Sequence, residues 1–249
     1  MDLAEQIDSQ GFACLTGAVS ESDLQQLRAW TDQEASRHSG EYFAYHGEQS
    51  LAGSLLSSYW SDPALEQLLA SLYQCAAQRK APNNRIFPVL RCVQGANGRR
   101  ESNAFHYDAS LVTALVPIHI PQEGEQRGDL MLFPNLRGVR RWVLFNVLEK
   151  ALLQNTFTRR QICRAMDRGW LTPHVLRLQP GNMYVFWGYR SLHANQACSP
   201  HVKRATALFH FGDPHAGSLA TRFILWLNQS RARRMNRKHG PRPPAPTPG

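Results

Sequence analysis

From Arg85 onward the apolar residues of this chain recur with a period of two, where before they recur at helical spacing, and the strand-like period holds with one interruption to Phe211. Strand-length segments follow one another between turn residues at 86–94, 111–120, 129–134, 175–179, 183–187 and 202–211. The second of these is almost continuously apolar, which predicts burial on both faces. Pro180-Gly181-Asn182 supplies the turn between the fourth and the fifth. No strand of this length can bury its apolar face alone, so the segments must pair into sheets that close on one another.

The part before Arg85 reads differently. Gly11 to Leu15 fits one short strand, but Ser20-Glu21-Ser22-Asp23 then offers capping oxygens and negative charge to a helix with Leu24, Leu27 and Trp30 on one face. Asp62-Pro63 opens a second helix over about 62–78, whose stripe is Leu65, Leu68, Leu69, Leu72 and Tyr73. Residues 42–54, aromatic and glycine-containing, read as a loop near an opening. The interruption of the strand pattern at 147–169 reads as a helical insertion, with Thr156 or Thr158 as cap and Gly169 as stop. No long-period repeat occurs, which excludes solenoids and propellers. The expected architecture is mainly β with flanking helices, a jelly roll. A single domain over 1–239 would comprise a helical N-terminal part (1–80), a jelly-roll core (about 85–213) and a C-terminal helix (about 217–238).

Charge and cysteine content narrow the function. The net charge is +9, but six positive charges lie at or beyond Arg231, which leaves +3 for residues 1–230. That distribution marks a basic tail, not a duplex-binding surface, so no nucleic-acid partner is expected. Cys14, Cys75, Cys92, Cys163 and Cys198 are scattered with no Cys-x-x-Cys pair, which argues against a zinc knuckle or a disulfide framework. The start, Met1-Asp2-Leu3-Ala4-Glu5, is acidic and lacks an apolar targeting core, so a cytoplasmic location is expected.

Candidate chemistry begins at His106-Tyr107-Asp108, inside the β-prone run 102–110. Residues two apart on a strand share a face, so one imidazole and one carboxylate can grip a metal if a third ligand arrives from elsewhere. Alone, the pair more often describes a strand with a satisfied histidine, and His46-Gly47-Glu48 offers a similar spacing. In 202–211 the period of two puts Arg204, Thr206, Leu208 and His210 on one face and Ala205, Ala207, Phe209 and Phe211 on the other.

Several of these features together resemble the phytanoyl-CoA dioxygenase-like branch of the Fe(II)/2-oxoglutarate-dependent oxygenases. The likeness runs from Gly11-Phe12 through Leu15-Thr16-Gly17-Ala18-Val19-Ser20, across His106-Tyr107-Asp108, to Pro180-Gly181-Asn182, His193 and, eleven residues later, Arg204. The resemblance implies a double-stranded β-helix (cupin-like) core. It implies His106, Asp108 and His193 as Fe(II) ligands and Arg204 as partner of the distal carboxylate of 2-oxoglutarate, with O2 as second co-substrate. A guanidinium fork suits a carboxylate in two parallel hydrogen bonds. Thr206 shares that face and either donates a further hydrogen bond or simply packs; His210 reads as a satisfied core histidine. Asn182 departs from the acidic residue more often found after the Pro-Gly turn, and 129–137 match only loosely, which leaves the substrate open.

The implied activity is a dioxygenase, by default a hydroxylase, with desaturation and cyclisation open and halogenation disfavoured by Asp108. Two other readings use the same residues: a non-catalytic cupin-like binding or sensor module, and a Zn(II) hydrolase on the same His2Asp site. Arg91, Arg99, Arg100, Arg137 and Arg141, with Tyr42 and Tyr45, are candidates for the mouth, and an arginine-rich mouth suits an anionic small molecule or a lipid- or acyl-linked substrate. Each arginine reads equally as a surface charge, and the group after residue 136 as a solvated corner. Leu219, Phe223, Trp226 and Leu227 form one apolar helix face, followed by Arg231, Arg233, Arg234, Arg237 and Lys238. That segment either docks and solvates or makes a peripheral membrane contact. The tail 240–249, with five prolines, is expected to be disordered.

Overall fold

The computed structural model describes residues 2–98, 102–122, 126–139 and 155–214, together with 149 and 153. The expected C-terminal helix and proline-rich tail, the basic segment beyond Arg231, and Arg99, Arg100 and Arg141 lie outside the described residues, as does most of 140–154. Among the described residues no helix is long and apolar enough to cross a membrane.

The N-terminal part supplies α1 (Leu3–Gln10), β1 (Ala13–Leu15), α2 (Glu21–Arg37), β2 (Phe43–His46), α3 (Leu56–Trp60) and α4 (Pro63–Ala77). Helix α2 starts where its cap predicts, because the Ser20 hydroxyl accepts the Asp23 N–H at 3.1 Å. Asp62 does the same for Ala64 at 2.9 Å, and Pro63 occupies the position where a missing N–H is harmless. Residues 42–54 are more ordered than a loop: β2 pairs with β3 through Tyr45↔Leu90, and a 3-10 turn follows at Glu48–Leu51. The strand signal there is the aromatic content of Phe43-Ala44-Tyr45, not an alternation.

The core strands are β3 (Ile86–Val93), β4 (Val112–His119), β5 (Leu130–Phe133), β6 (His174–Leu176), β7 (Met183–Phe186), β8 (Leu192–Asn195) and β9 (Arg204–Phe211). A single turn, α5 (Gly95–Gly98), follows β3, and α6 (Thr156–Asp167) forms the insertion. Six strands make one antiparallel sheet in the order β1-β7-β4-β9-β3-β2, and three make a second, β6-β5-β8. These are the facing sheets of a double-stranded β-helix, the jelly roll that the strand pattern predicts. Residues 106–110 are not a strand; His106 makes one antiparallel bridge with His193 and thereby extends the smaller sheet. The cap of α6 is Asn155, which accepts the Phe157 N–H at 2.9 Å, instead of Thr156 or Thr158. Its stop is Gly169, at φ 72°.

The two faces of the large sheet have separate tasks. Outward, Ala205, Ala207, Phe209 and Phe211 pack with Leu24 and Leu27 of α2 and Leu69, Leu72 and Tyr73 of α4 in one continuous core. Each large side chain buried there contributes about 1.5–3 kcal/mol. Inward, Leu115, Leu130, Leu132, Leu176, Tyr184 and Phe186 fill the space between the sheets at one side. Beside them lie the polar side chains of Arg91, His106, His193, Asn195 and Thr206.

Candidate metal centre

Two backbone anchors place His106 and Asp108. His106 and His193 exchange N–H to carbonyl bonds at 3.0 Å each, and the Asp108 N–H donates to the Gly188 carbonyl at 3.0 Å. The Asp108 carboxylate lies so close over Gly188 that any Cβ there would collide with it and with the Thr113 hydroxyl. A glycine after Trp187 is therefore a requirement of the site.

Second bonds orient the three side chains. His106 Nδ1 donates to the Ala104 carbonyl at 2.8 Å, and His193 Nδ1 to the Ser191 carbonyl at 3.0 Å. Each bond puts the proton on Nδ1 and leaves Nε2 with its lone pair directed inward. Asp108 Oδ2 accepts the Thr113 hydroxyl at 2.6 Å, which leaves Oδ1 to face the imidazoles. Oδ1 lies 3.7 Å from His106 Nε2 and 3.6 Å from His193 Nε2. Donors about 2.1 Å from a common ion can be at most about 4.2 Å apart, and both separations satisfy this. All three donor atoms lie within 4.8 Å of one another, the one such group of three among the described residues. Two imidazoles and a carboxylate on one side suit a divalent first-row metal and leave positions open for other ligands.

For Asp108 and His106 the electrostatics agree with that arrangement, whereas Asp108 makes His193 hold its proton more firmly. Burial alone would raise the Asp108 pKa, but His193, His210 and His106 around it hold it well below the ordinary value. Burial, joined by the like charge of His193, pushes His106 down. His193 goes the other way, because Asp108 outweighs the burial that would lower it. The carboxylate is thus ionised and His106 neutral, as ligands must be.

His210 is nearer to the chemistry than a core histidine. It donates through Nδ1 to the Thr113 hydroxyl at 3.1 Å, since that hydroxyl's own proton goes to Asp108, and its ring nitrogen is 3.7 Å from Asp108 Oδ2. Thr113, five residues after Asp108, is the group that sequence reasoning missed. Only the pairing of β4 with β9, Thr113↔His210, reveals it.

Arg204 is 1% exposed. Its guanidinium donates to the Gly128 carbonyl at 2.6 Å, to Asn195 Oδ1 at 2.8 Å and to Thr206 Oγ1 at 3.4 Å. Gly128, at φ 74°, packs so tightly on the Arg204 stem that a side chain there would displace it. No carboxylate among the described residues is within ion-pair distance of Arg204, and burial lowers its pKa to about 10. Thr206 lines a narrow channel with Arg91, His106, His193, Asn195 and Leu208, and it accepts from Arg204, which does not itself line the channel. Asn195, two residues along β8 from His193, is a second group without a sequence signal.

Other expected site residues lie elsewhere. His46 is exposed and outside the donor group, and Glu48 pairs with Arg85 at 3.1 Å on the surface. Tyr45 donates to Glu34 Oε2 at 2.6 Å and meets His38 at 3.0 Å, which ties β2 to α2. Arg137 is no solvated corner. Its guanidinium lies between the Tyr107 ring (3.9 Å) and the Tyr189 ring (4.1 Å), pairs with Glu149 and donates from Nε to the Tyr189 carbonyl at 2.6 Å. It clamps the residue between His106 and Asp108 to the residue after Gly188.

Fold and donor set define a class: a double-stranded β-helix protein with a candidate His2Asp metal centre. No family model matches the sequence, and no curated protein sequence matches it. Solved structures do. The non-heme alpha-ketoglutarate-dependent carbocyclase SnoK from nogalamycin biosynthesis superposes with a TM-score of 0.56 at 16% identity, over 85% of this chain and 83% of that one. A prolyl-4-hydroxylase from Pseudomonas putida gives 0.53 at 11% identity, over 84% and 97%. HygX from Streptomyces hygroscopicus, solved with nickel and 2-oxoglutarate bound, gives 0.53 at 13% identity, over 84% and 85%. The structural neighbours are Fe(II)/2-oxoglutarate-dependent oxygenases, and at these identities the likeness is one of fold.

Proposed function

We propose that this chain is an Fe(II)- and 2-oxoglutarate-dependent dioxygenase of the phytanoyl-CoA dioxygenase-like branch, a hydroxylase of an anionic small molecule or acyl-linked substrate, acting in the cytoplasm. The observation that carries the reading is the paired placement of a metal-type donor set and a buried cation. His106 and His193 line one narrow space with Thr206, Asp108 faces both imidazoles, and the buried Arg204 donates to Thr206 and has only neutral hydrogen-bond partners. A buried charge without a counter-charge is expensive, and a dicarboxylate reaching from the donors to the guanidinium would supply one.

In that reading His106 and His193 hold Fe(II) through Nε2 and Asp108 through Oδ1. When bound, the iron supplies oxidation of a substrate C–H bond by O2, with 2-oxoglutarate consumed to succinate and CO2. The chain's own groups set the geometry. Ala104 and Ser191 carbonyls fix the imidazole tautomers, Thr113 keeps one carboxylate oxygen turned away, and Arg204 with Thr206 holds the distal carboxylate of the co-substrate. The leucine and phenylalanine side chains of the channel wall keep bulk water out.

The test is succinate release and oxygen uptake by the full chain with Fe(II) and 2-oxoglutarate, compared with His193→Ala. Fe(II)-dependent release that the variant lacks supports the reading. Zn(II)-dependent hydrolysis that ignores 2-oxoglutarate would overturn it in favour of a hydrolase, and metal binding with no turnover of 2-oxoglutarate against a broad metabolite panel would favour a sensor.

A further inference from the structure

Of the six large apolar side chains most exposed among the described residues, three fall in one stretch of fifteen residues: Phe157 (64% exposed), Trp170 (72%) and Leu171. They bracket the outer face of α6. The inner face of that helix carries Ile162 and Met166, which pack with Phe105 and Met131. Packing accounts for one side of the helix and leaves the other unexplained.

The outer face has a composition of its own. Its exposed positions are 157, 160, 161, 164, 167 and 168, the three-four spacing of one helical stripe. Arg160, Arg164 and Arg168 stand four residues apart along it, about 6 Å per step. None of the three has an ion-pair partner among the described residues, and the side chains of Arg160 and Arg164 make no hydrogen bond there. One carboxylate shares the stripe, that of Asp167, so the cations outnumber the anions three to one. Like charges four apart weaken a helix, and a glutamate at 160 or 164 would have served its stability better.

The end of the helix adds apolar surface to this row. Gly169, at φ 72°, stops α6, and the N–H groups of Trp170 and Leu171 both return to the Ala165 carbonyl, at 2.8 and 3.2 Å. The Arg168 guanidinium lies 5.0 Å from the centre of the Trp170 ring. Phe157 stands in the first turn, at the other end. A row of three cations about 12 Å long thus has an exposed aromatic ring at each end. A helix face is convex, which does not suit a small molecule or the groove that tracks a single nucleic-acid strand. A second copy of the same face would set guanidiniums against guanidiniums. Cations beside exposed aromatic and aliphatic side chains are the composition of a surface that lies on lipid.

We propose that the outer face of α6, with Phe157, Trp170 and Leu171, docks on an anionic phospholipid bilayer. Arg160, Arg164 and Arg168 meet the headgroups, and the three apolar side chains enter the interface. The inference depends neither on the dioxygenase reading nor on any residue beyond 214. Docking would hold Phe105, the residue before His106, about one helix diameter of 10–12 Å from the lipid.

The experiment is co-sedimentation of the full chain with vesicles at about 0.1 M salt. One set is phosphatidylserine and phosphatidylcholine in equal parts, the other phosphatidylcholine alone. The parent should bind the anionic set about tenfold or more tightly than the neutral one. The triple variant Arg160→Gln, Arg164→Gln, Arg168→Gln should lose about a hundredfold, since each cation near an anionic surface contributes separately, and the three matching Arg→Lys changes should restore most of it. Phe157→Ser with Trp170→Ser should lose about tenfold with all arginines present. The changed side chains are exposed, so the far-ultraviolet circular dichroism should match the parent throughout; should the triple variant misfold, Arg164→Gln alone should cost about fivefold. No binding by the parent, equal binding to both sets, or a loss under twofold in the arginine variants would overturn the inference, the last by assigning the contact to another surface. Parental affinity in the Phe157→Ser, Trp170→Ser variant would overturn the lipid assignment, because no side chain then enters the interface. So would a single-stranded oligonucleotide or polyglutamate that binds more tightly than the anionic vesicles and depends on the same three arginines.

Discussion

The two faces of strand β9 are interleaved residue by residue and yet do opposite things. Ala205, Ala207, Phe209 and Phe211 look outward into hydrocarbon and are covered by α2 and α4. Arg204, Thr206, Leu208 and His210 look inward, and three of the four carry polar groups bonded to other polar groups around the candidate site. A pleated strand makes this division possible because adjacent side chains never share an environment. Stability and chemistry are thus separable along one strand of eight residues.

The comparison can be broken most forcefully at the donor set. His193→Ala should abolish stoichiometric Fe(II) or Co(II) binding while the far-ultraviolet circular dichroism of the metal-free chain stays unchanged, because two donors do not hold the ion. A variant that still binds one equivalent at parental affinity would remove His193 from the site. Binding to the parent should weaken as the pH is lowered, since protons compete for the same imidazoles.

On the outer face, Phe209→Ala should destabilise the chain by about 3–5 kcal/mol in urea or thermal unfolding. Phe209 is fully buried and stacks near Tyr59 at a centroid distance of 6.0 Å. At a temperature where the variant is folded, its metal stoichiometry should equal that of the parent. If metal binding falls in step with stability, the two faces are not separable.

Arg204→Ala, on the inner face, should weaken 2-oxoglutarate binding by about 2–5 kcal/mol, measured anaerobically by calorimetry, with the metal affinity little changed. Parental 2-oxoglutarate affinity in the variant would take Arg204 out of the co-substrate site. The smallest effect expected is that of Thr113→Val. It removes the hydroxyl between Asp108 and His210 and should lower metal affinity by about 1–3 kcal/mol, the cost of leaving a buried acceptor unsatisfied. An unchanged affinity would show that Asp108 needs no help from β4.

Local rules account for what was legible. Ser20 and Asp62 mark helix starts because capping involves only neighbours three residues apart or fewer. The period of two assigns the faces of β9 with no knowledge of what lies beyond them. His106, Asp108 and His193 were visible as a spacing that resembles a known family's, although His106 sits on an isolated bridge and Asp108 on irregular backbone, not on a strand.

The groups around those candidate ligands were not visible, and the reason is the same for each. Thr113 meets Asp108 and His210 because β4 is placed beside β9, a pairing between residues 97 apart. Asn195 meets Arg204 across the open side between the sheets, and Arg137 enters its clamp only where Tyr107 and Tyr189 come face to face. Arg159 meets the Ser102 carbonyl, 57 residues away in the chain, because α6 packs on the cluster around Phe105. Sequence alone determines which faces are apolar, where helices begin and which residue types a metal could use, since period and capping act over a few residues. Which polar side chain satisfies which other one is decided by strand order and register, long-range choices that no local pattern encodes.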